Sequence, residues 1–431
     1  MKGFFAVAVA IGLCASGAAV CFSQTNVRPG EQWVATWAAA QEMAPTTPDR
    51  PIIPPDIKRP EFRKMTGPRP SQTVPTINEN QTVRMVVHTS IGGKRFRVEL
   101  SNAFGKGVVS LGEAHVALRT SGSSIDVGSD RRLTFSGSKA VDLRPGVVLV
   151  SDPVDLQFNS MSDLAISLFV VKAEGAPTNH TIGLHTAYIS EGNATASASL
   201  ADAATTTTYP WLRSVDVSAS IGDFAIVSLG DSITDGFGTS NDKNQAWPTL
   251  LAARFAARKT GPRVAVLNEG ISGNEVLHDG AGVSALARMD RDVLSQPGVR
   301  WIVLFEGIND INIHGQITGP GALTADDLIR GYQQVIARAH MHKVQVIGAT
   351  LTPEQGVWLA GPVGEATRQT VNRWIRSSGS FDAVVDFDIV VRDRTNPQKL
   401  REDFDPGDHI HPNDVGNAAM ANAFDLTRLM R

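Results

Sequence analysis

The feature of this sequence that most constrains its fold is an alternation of short apolar runs with longer amphipathic segments, which begins near residue 224. The apolar runs suit buried strands, and the segments between them keep the spacing of helices. The predicted strands are 225–229, 264–267, 301–305, 344–350 and 383–387, and the predicted helices are 247–258, 283–294, 324–342 and 364–377, followed by a C-terminal helix. Strands joined by helices form a parallel sheet with helices on both faces. This half of the chain is therefore predicted to be an α/β domain.

Ser232 follows the first predicted strand directly, within the stretch AIVSLGDSITDGFG. Ligands of open α/β sheets bind beyond the carboxyl ends of the strands. A serine hydroxyl becomes an effective nucleophile when a base removes its proton and hydrogen-bond donors receive the oxyanion. Ser232 is therefore the candidate nucleophile, and other parts of the chain should supply the base and the donors.

Three further stretches carry polar groups that could complete such a site. NEGISG ends at Gly273 after the second predicted strand, and EGIND contains Asn309 after the third. Near the C-terminus, DHIHPN contains Asp408 and His411, which would lie on one side of a helical turn because they are three residues apart. Asp408 could then hold one imidazole nitrogen of His411 while the other nitrogen faces Ser232.

Together these four blocks resemble the SGNH or GDSL hydrolase family. The matching motifs are Gly230-Asp231-Ser232, Gly273, Gly307-Ile308-Asn309-Asp310, and Asp408 with His411. The resemblance implies a flavodoxin-like three-layer α/β/α domain that hydrolyses carboxylic esters. It also implies that Ser232 is the nucleophile, His411 the general base and acid, and Asp408 the residue that orients the imidazole. The oxyanion hole would then consist of the backbone N–H groups of Ser232 and Gly273 and the side-chain amide of Asn309.

The site candidates also have other interpretations that the sequence leaves open. A tight turn would explain Gly273, Gly307 and Asn309 without any catalytic role. His409 is a rival general base, and His409 with Asp408 and His411 could instead be metal ligands. No further cluster of His or Cys residues supports a metal, so neither a metal nor a cofactor is predicted. The sequence also lacks a G-x-S-x-G elbow, a G-x-G-x-x-G fingerprint after a strand and a P-loop.

Residues 1–23 are typical of a secretory signal peptide. Lys2 is followed by an apolar run at 4–13 and by small residues at 15–19, and cleavage is expected between 19 and 24. Both cysteines, Cys14 and Cys21, lie in this segment. We therefore predict an exported protein, secreted or periplasmic, whose mature form has no cysteine. No later apolar run is long enough to cross a bilayer.

Residues 24–215 are predicted to form an all-β sandwich domain ahead of the catalytic domain at 216–431. Between residues 82 and 188 the chain has short alternating runs separated by Gly, Ser, Asn and Asp, at the spacing of a sandwich. The stretch RFRVELSNAFGKGVVSLGEAHVALR resembles the N-terminal domain of a group of bacterial GDSL esterases. Such a domain would either bind carbohydrate or shape the active-site cleft. Its histidines, His180 among them, are expected to be ordinary strand or loop residues.

Two segments of this half have a distinct composition. The proline-rich insertion at 45–75 is predicted to be a surface loop or a flap near the mouth of the active site. The segment at about 191–208 is rich in Ala, Ser and Thr, and it is predicted to be a linker.

Composition and motifs together define the predicted function. The net charge of -3 and the lack of basic runs argue against a nucleic-acid partner. The chain is predicted to be an exported serine esterase for small-molecule or polysaccharide esters, with short acyl groups such as acetyl favoured and a carbohydrate acetylesterase as one form. A lysophospholipase or lipase-type acylhydrolase, an O-acyltransferase with the same triad, and a carbohydrate-binding protein without activity are the alternatives. The sequence leaves the oligomeric state open.

Overall fold

The computed structural model describes residues 28–42, 76–77, 79–315, 322–357 and 359–430. The predicted signal peptide and the proline-rich segment 45–75 lie outside these residues. Within them the chain forms antiparallel sheets first and a parallel sheet afterwards, so the predicted β-domain followed by an α/β domain is confirmed. None of the helices in this part of the chain is long and apolar enough to span a membrane.

The N-terminal half is built from two antiparallel sheets. Its strands are β1 (Glu31–Ala38), β2 (Gln81–His88), β3 (Gly93–Ser101), β4 (Val109–Ser121), β5 (Ser124–Ile125), β6 (Arg131–Leu133), β7 (Val141–Leu143), β8 (Val148–Val150), β9 (Val154–Phe158), β10 (Asp163–Ala173), β11 (Ala187–Glu191), β12 (Ala204–Thr206) and β13 (Leu212–Ser220). One sheet has the order β1-β13-β3-β8, with β9 also paired to β3. The other has the order β12-β11-β2-β10-β4-β5, with β6 and β7 also paired to β4.

Alternate side chains from both sheets share one apolar core. The fully buried members on one strand of each sheet are Val83, Met85 and Val87 of β2 and Phe96, Val98 and Leu100 of β3. Successive side chains of a strand point to opposite faces, so these residues define the inner faces of the two sheets. The sheets therefore face each other as in a β-sandwich.

Part of the predicted linker at 191–208 is a strand instead. β12 pairs with β11, and the segment before β12 covers the buried side chain of Arg84. The guanidinium donates hydrogen bonds to the carbonyl oxygens of Ala194, Thr195 and Ser197 at 3.2, 3.0 and 2.9 Å. A buried cation requires such acceptors, which holds this segment against the sheet. Composition could not reveal this contact because the acceptors are backbone groups.

The C-terminal half is an α/β domain with a parallel sheet. Its strands are β14 (Phe224–Gly230), β15 (Val264–Gly270), β16 (Val299–Phe305), β17 (Gln345–Ala349) and β18 (Ala383–Val385). Its helices are α1 (Ser232–Asp235), α2 (Trp247–Ala256), α3 (Ala285–Met289), α4 (Ile308–His314), α5 (Ala325–Met341), α6 (Pro362–Ser377), α7 (Phe387–Val391), α8 (Asp414–Asn422) and α9 (Leu426–Leu429). The order β15-β14-β16-β17-β18 is that of a flavodoxin-like sheet. This order places β14 between β15 and β16.

The β-domain covers the outer edge of this parallel sheet. Ser90 Oγ donates a hydrogen bond to the Val266 carbonyl of β15 at 2.8 Å and accepts the Val266 N–H at 3.2 Å. Away from this edge, the Ala35 N–H of β1 donates to the carbonyl of Pro297, in the segment before β16, at 2.9 Å. Exposed strand edges invite pairing with other chains. The β-domain therefore satisfies edge groups that would otherwise face solvent.

Candidate active site

Ser232 lies at the start of the one-turn helix α1, immediately beyond the carboxyl end of β14. Asp231 caps this helix, because its Oδ1 accepts the Ile233 N–H at 2.9 Å. Burial raises the pKa of Asp231 to about 6, although this hydrogen bond opposes the increase. The Ser232 side chain is largely buried and is thus held in one position at the sheet edge.

His411 links Ser232 to Asp408. The Nε2 atom of His411 lies 2.8 Å from Ser232 Oγ, and its Nδ1 atom lies 2.6 Å from Asp408 Oδ2. Burial alone would raise the pKa of Asp408, but the charge and hydrogen bonds of His411 hold this pKa below its usual range. Asp408 therefore remains ionised at neutral pH, and the stability it contributes is lost only as the pH falls through this lowered pKa.

The turn that holds Asp408 and His411 is not helical, contrary to the prediction. The other carboxylate oxygen of Asp408, Oδ1, accepts the N–H groups of Ile410 and His411 at 3.2 and 3.1 Å. Helix α8 begins only at Asp414, and Asn413 is its N-cap. Asp side chains commonly bond to backbone N–H groups a few residues ahead, and this local geometry replaces the expected helical turn.

The predicted oxyanion donors lie on the loops that flank the nucleophile. Gly273 follows β15 and Asn309 is the second residue of α4, which follows β16. The Ile271 N–H donates to the Gly230 carbonyl at 3.0 Å, and Asn309 Nδ2 donates to the Asn274 carbonyl at 2.9 Å. Because β14 lies between β15 and β16, these contacts gather the three loops at one edge of the sheet.

Gly273 and Gly307 also have the conformational role that a tight turn requires. Their φ angles are +81° and +128°, a region that favours glycine. A Cβ atom at Gly307 would lie 2.6 Å from the hydroxyl oxygen of Tyr332, which donates a hydrogen bond to the Glu306 carbonyl. A side chain at Gly307 would therefore displace the loop that leads into α4.

Asp310 fastens the loop after β15 to helix α4. Its carboxylate oxygens accept the N–H groups of Val276 and Leu277 at 2.8 and 3.0 Å. Burial raises the pKa of Asp310 to about 7, although these backbone hydrogen bonds act in the opposite direction. The loop that carries Gly273 is thus joined to the helix that carries Asn309.

Arg288 is a site residue that the sequence analysis missed. Its side chain is fully buried beneath the loops and donates to the Gly230 carbonyl at 3.0 Å, the Glu269 carbonyl at 2.7 Å and Asn274 Oδ1 at 2.8 Å. Glu306 Oε2 lies 3.6 Å from its Nη2. One guanidinium therefore bonds to the ends of β14 and β15 and approaches the end of β16. The hydrophobic spacing of the predicted helix 283–294 does not indicate that the Arg288 side chain points inward.

Replacing Arg288 with Met should lower the free energy of unfolding by about 3–5 kcal/mol, because several buried acceptors and a carboxylate lose their donor. Unfolding in urea at neutral pH measures this change. Arg330→Met is the control, since Arg330 is exposed and pairs with Asp327 at the surface, and its effect should stay below about 0.5 kcal/mol. Equal stability of the two variants would contradict a structural role for Arg288.

His409, the rival base, pairs with a different carboxylate. Its Nδ1 lies 2.6 Å from Asp405 Oδ2, and its side chain is 44% exposed. Among the described residues, Asp408, His409 and His411 do not form a group whose ligand atoms lie close enough together to share a metal ion. The geometry thus favours His411 over His409 as the partner of Ser232.

The β-domain reaches the nucleophile helix through His180. Its Nε2 lies 3.1 Å from Asp235 Oδ1 on α1, and its Nδ1 lies 2.9 Å from the Ala40 carbonyl. Burial lowers the pKa of His180, but Asp235 and Glu42 outweigh burial and raise it to about 10. From sequence His180 is predicted to be an ordinary strand or loop residue, and its contact with Asp235 could not be foreseen because it joins segments far apart in the chain.

Comparisons with known proteins address the α/β half. Residues 228–419 match the sequence profile of the GDSL-like Lipase/Acylhydrolase family. A comparison with curated protein sequences gave no match. Among solved structures, the chain is similar to a GDSL-like lipase from Bacteroides thetaiotaomicron, with 18% identity over 48% of this chain and 87% of that chain and a TM-score of 0.36. It is also similar to an acetyl xylan esterase, with 23% identity over 46% of this chain and 97% of that chain and a TM-score of 0.36.

The fold and the matched region define an enzyme of the acylhydrolase class. This matched region supports an SGNH/GDSL hydrolase, as the four sequence blocks predicted. The catalytic roles of individual residues are inferred from the geometry.

Proposed function

We propose that the protein is a serine esterase in which Ser232, His411 and Asp408 form the catalytic triad. The observation that carries this proposal is the chain of contacts from the Ser232 hydroxyl through both nitrogens of His411 to the Asp408 carboxylate, at 2.8 and 2.6 Å. In this arrangement Nε2 can take the hydroxyl proton while the carboxylate holds the Nδ1–H group.

The reaction then follows from the contacts. Ser232 Oγ attacks the ester carbonyl as His411 removes the hydroxyl proton, and the imidazolium returns this proton to the leaving alcohol. Water, activated by the same imidazole, hydrolyses the acyl-enzyme and releases the acid. Asp408 stabilises the imidazolium in both steps.

Donors for the oxyanion are available on the surrounding loops. Ser232 is the first residue of α1, and the first N–H groups of a helix have no partner within that helix. Asn309 uses one amide hydrogen for the Asn274 carbonyl, and its second amide hydrogen can donate to the oxyanion. Gly273 would add a backbone N–H from the neighbouring loop.

Asn309→Ala should lower kcat about a hundredfold to a thousandfold and change KM little, because the lost donor acts mainly in the transition state. Steady-state hydrolysis of p-nitrophenyl acetate measures both constants. Asn193→Ala is the control, since this exposed amide bonds to Glu113 in the β-domain. A change confined to KM would contradict the oxyanion role.

We infer that the substrate carries a short acyl group, with acetylated carbohydrate as the favoured class. The loop that carries Gly273 beside the nucleophile is closely packed, since a Cβ atom at Gly273 would lie 2.9 Å from Ala281 Cβ. The Phe237 ring packs against His411 with 4.6 Å between ring centroids. This limited space favours a small acyl group, and the predicted export favours an extracellular ester. Recovery of an exported form that begins near residue 24 would support export, and an uncleaved cytoplasmic chain would contradict it.

Substrate class is tested with p-nitrophenyl acetate, butyrate and dodecanoate, together with acetylated xylan and pectin. The wild type should have a kcat/KM at least about tenfold higher for acetate than for dodecanoate, and Ser232→Ala should be inactive on all of them. A preference for dodecanoate would indicate a lipase-type enzyme. Transfer of the acyl group to an added alcohol in preference to water would indicate an acyltransferase.

A further inference from the structure

A second cluster of reactive side chains lies beside the oxyanion loops and takes no part in the proposed triad. Glu275, His278 and His314 place one ligand atom each within 4.8 Å of one another. Both imidazoles approach the same carboxylate oxygen, because His314 Nε2 lies 2.9 Å and His278 Nδ1 lies 3.5 Å from Glu275 Oε2. The two rings also lie against each other, with 4.0 Å between their centroids.

One oxygen of the Glu275 carboxylate, Oε2, lacks a hydrogen-bond donor among the described residues. The Glu275 side chain is only 4% exposed, and Oε2 has no hydrogen-bond partner among the described residues despite its two imidazole neighbours. Buried carboxylates are normally paired with a cation or satisfied by donors. Glu275 therefore presents an unsatisfied oxygen to the two histidines.

We propose that Glu275, His278 and His314 form a binding site for a divalent transition-metal ion such as Zn²⁺. Two imidazole nitrogens and one carboxylate oxygen are typical ligands for Zn²⁺, whereas Ca²⁺ and Mg²⁺ take oxygen ligands. Ligand bonds of about 2.0–2.2 Å in a tetrahedron place ligand atoms about 3.3 Å apart. The distances of 2.9 and 3.5 Å from Glu275 Oε2 to the two nitrogens lie on either side of this value.

The ligands sit on a scaffold that is already fixed. Asp310 accepts the N–H groups of Val276 and Leu277, which lie between Glu275 and His278 in sequence. His314 follows Asp310 by one turn of α4, so it faces the same loop. The imidazoles are 46% and 25% exposed, which gives the ion a path from solvent.

Metal binding would join the loop after β15 to α4. These elements carry Gly273 and Asn309, so the ion would stabilise the neighbourhood of the oxyanion donors without entering the ester chemistry. An ion that binds only the folded state raises its stability in proportion to the logarithm of ion concentration. The proposal does not depend on the proposed esterase activity, since binding and unfolding are measured without substrate.

Calorimetric titration of the metal-free full chain with ZnCl₂ tests the site, together with thermal unfolding at increasing ZnCl₂. The wild type should bind one ion and unfold at a higher temperature as Zn²⁺ is added. His278→Ala, His314→Ala and Glu275→Gln should each weaken binding by at least about tenfold, the smallest loss expected even for an outer-shell partner. His340→Ala is the matched control, because His340 is also 46% exposed and pairs with a carboxylate, that of Asp382.

Two outcomes would overturn the proposal. One is a wild-type chain that binds no Zn²⁺. The other is an unchanged affinity and stoichiometry in His278→Ala and His314→Ala, which would place the ion elsewhere. These two variants remove partly exposed side chains and should fold, so they decide the question even if Glu275→Gln is unstable.

Discussion

Replacing Ser232 with Ala is expected to lower kcat for ester hydrolysis about a millionfold, and His411→Ala should do the same. Without the hydroxyl no acyl-enzyme forms, and without the imidazole the hydroxyl keeps its proton, since His411 Nε2 is the base 2.8 Å from Ser232 Oγ. Hydrolysis of p-nitrophenyl acetate by the purified variants, with active-site titration of the wild type, measures the loss.

The double variant distinguishes a cooperating pair from two independent contributions. Because Ser232 and His411 act in the same step, the double variant should be no slower than either single variant. Ser228→Ala is the matched control, since Ser228 is a buried serine four residues earlier, on the strand that leads to Ser232, and it should retain most of the activity. Substantial activity in Ser232→Ala would contradict the assignment of the nucleophile.

The sheet could be predicted from sequence because its strands are continuous apolar runs. The run 225–229 became β14 (Phe224–Gly230), and the run 301–305 became β16 (Val299–Phe305). A strand that is buried on both faces of a parallel sheet has such a continuous apolar run, because both of its faces contact other parts of the core. The helix predicted at 283–294 is interrupted, since α3 ends at Met289 and a π-helical turn follows. Hydrophobic spacing does not show such a change of hydrogen-bond pattern.

Some residues of the candidate site could likewise be predicted from sequence, and others could not. Ser232, Gly273 and Asn309 follow strands directly, so their place at the sheet edge is a consequence of the topology. Arg288 and His180 could not be identified, because their roles depend on carbonyl and carboxylate groups of segments that are distant in sequence. A sequence motif shows which residue types lie at a short spacing along the chain. It does not show buried contacts between segments that are distant in sequence.

Asp408→Asn should lower kcat about ten-thousandfold while the fold remains intact, because the amide would fix the wrong tautomer of His411. Asp408 Oδ1 accepts the N–H groups of Ile410 and His411, so the amide oxygen of the substituted side chain would keep that position. The amide nitrogen would then face His411 Nδ1 and donate to it. The proton would move to Nε2, which could no longer accept the Ser232 proton.

Asp405→Asn provides an unusually close control for this prediction. Asp405 also accepts backbone N–H groups, those of Gly407 and His409, and its Oδ2 lies 2.6 Å from His409 Nδ1. The two Asp–His pairs thus have the same local chemistry, and they differ in that only His411 is within hydrogen-bond distance of Ser232 Oγ. Asp405→Asn should therefore leave kcat within about threefold of the wild type. A large loss in Asp405→Asn with little loss in Asp408→Asn would instead make His409 the base, since tautomer control matters only for the imidazole that takes the proton.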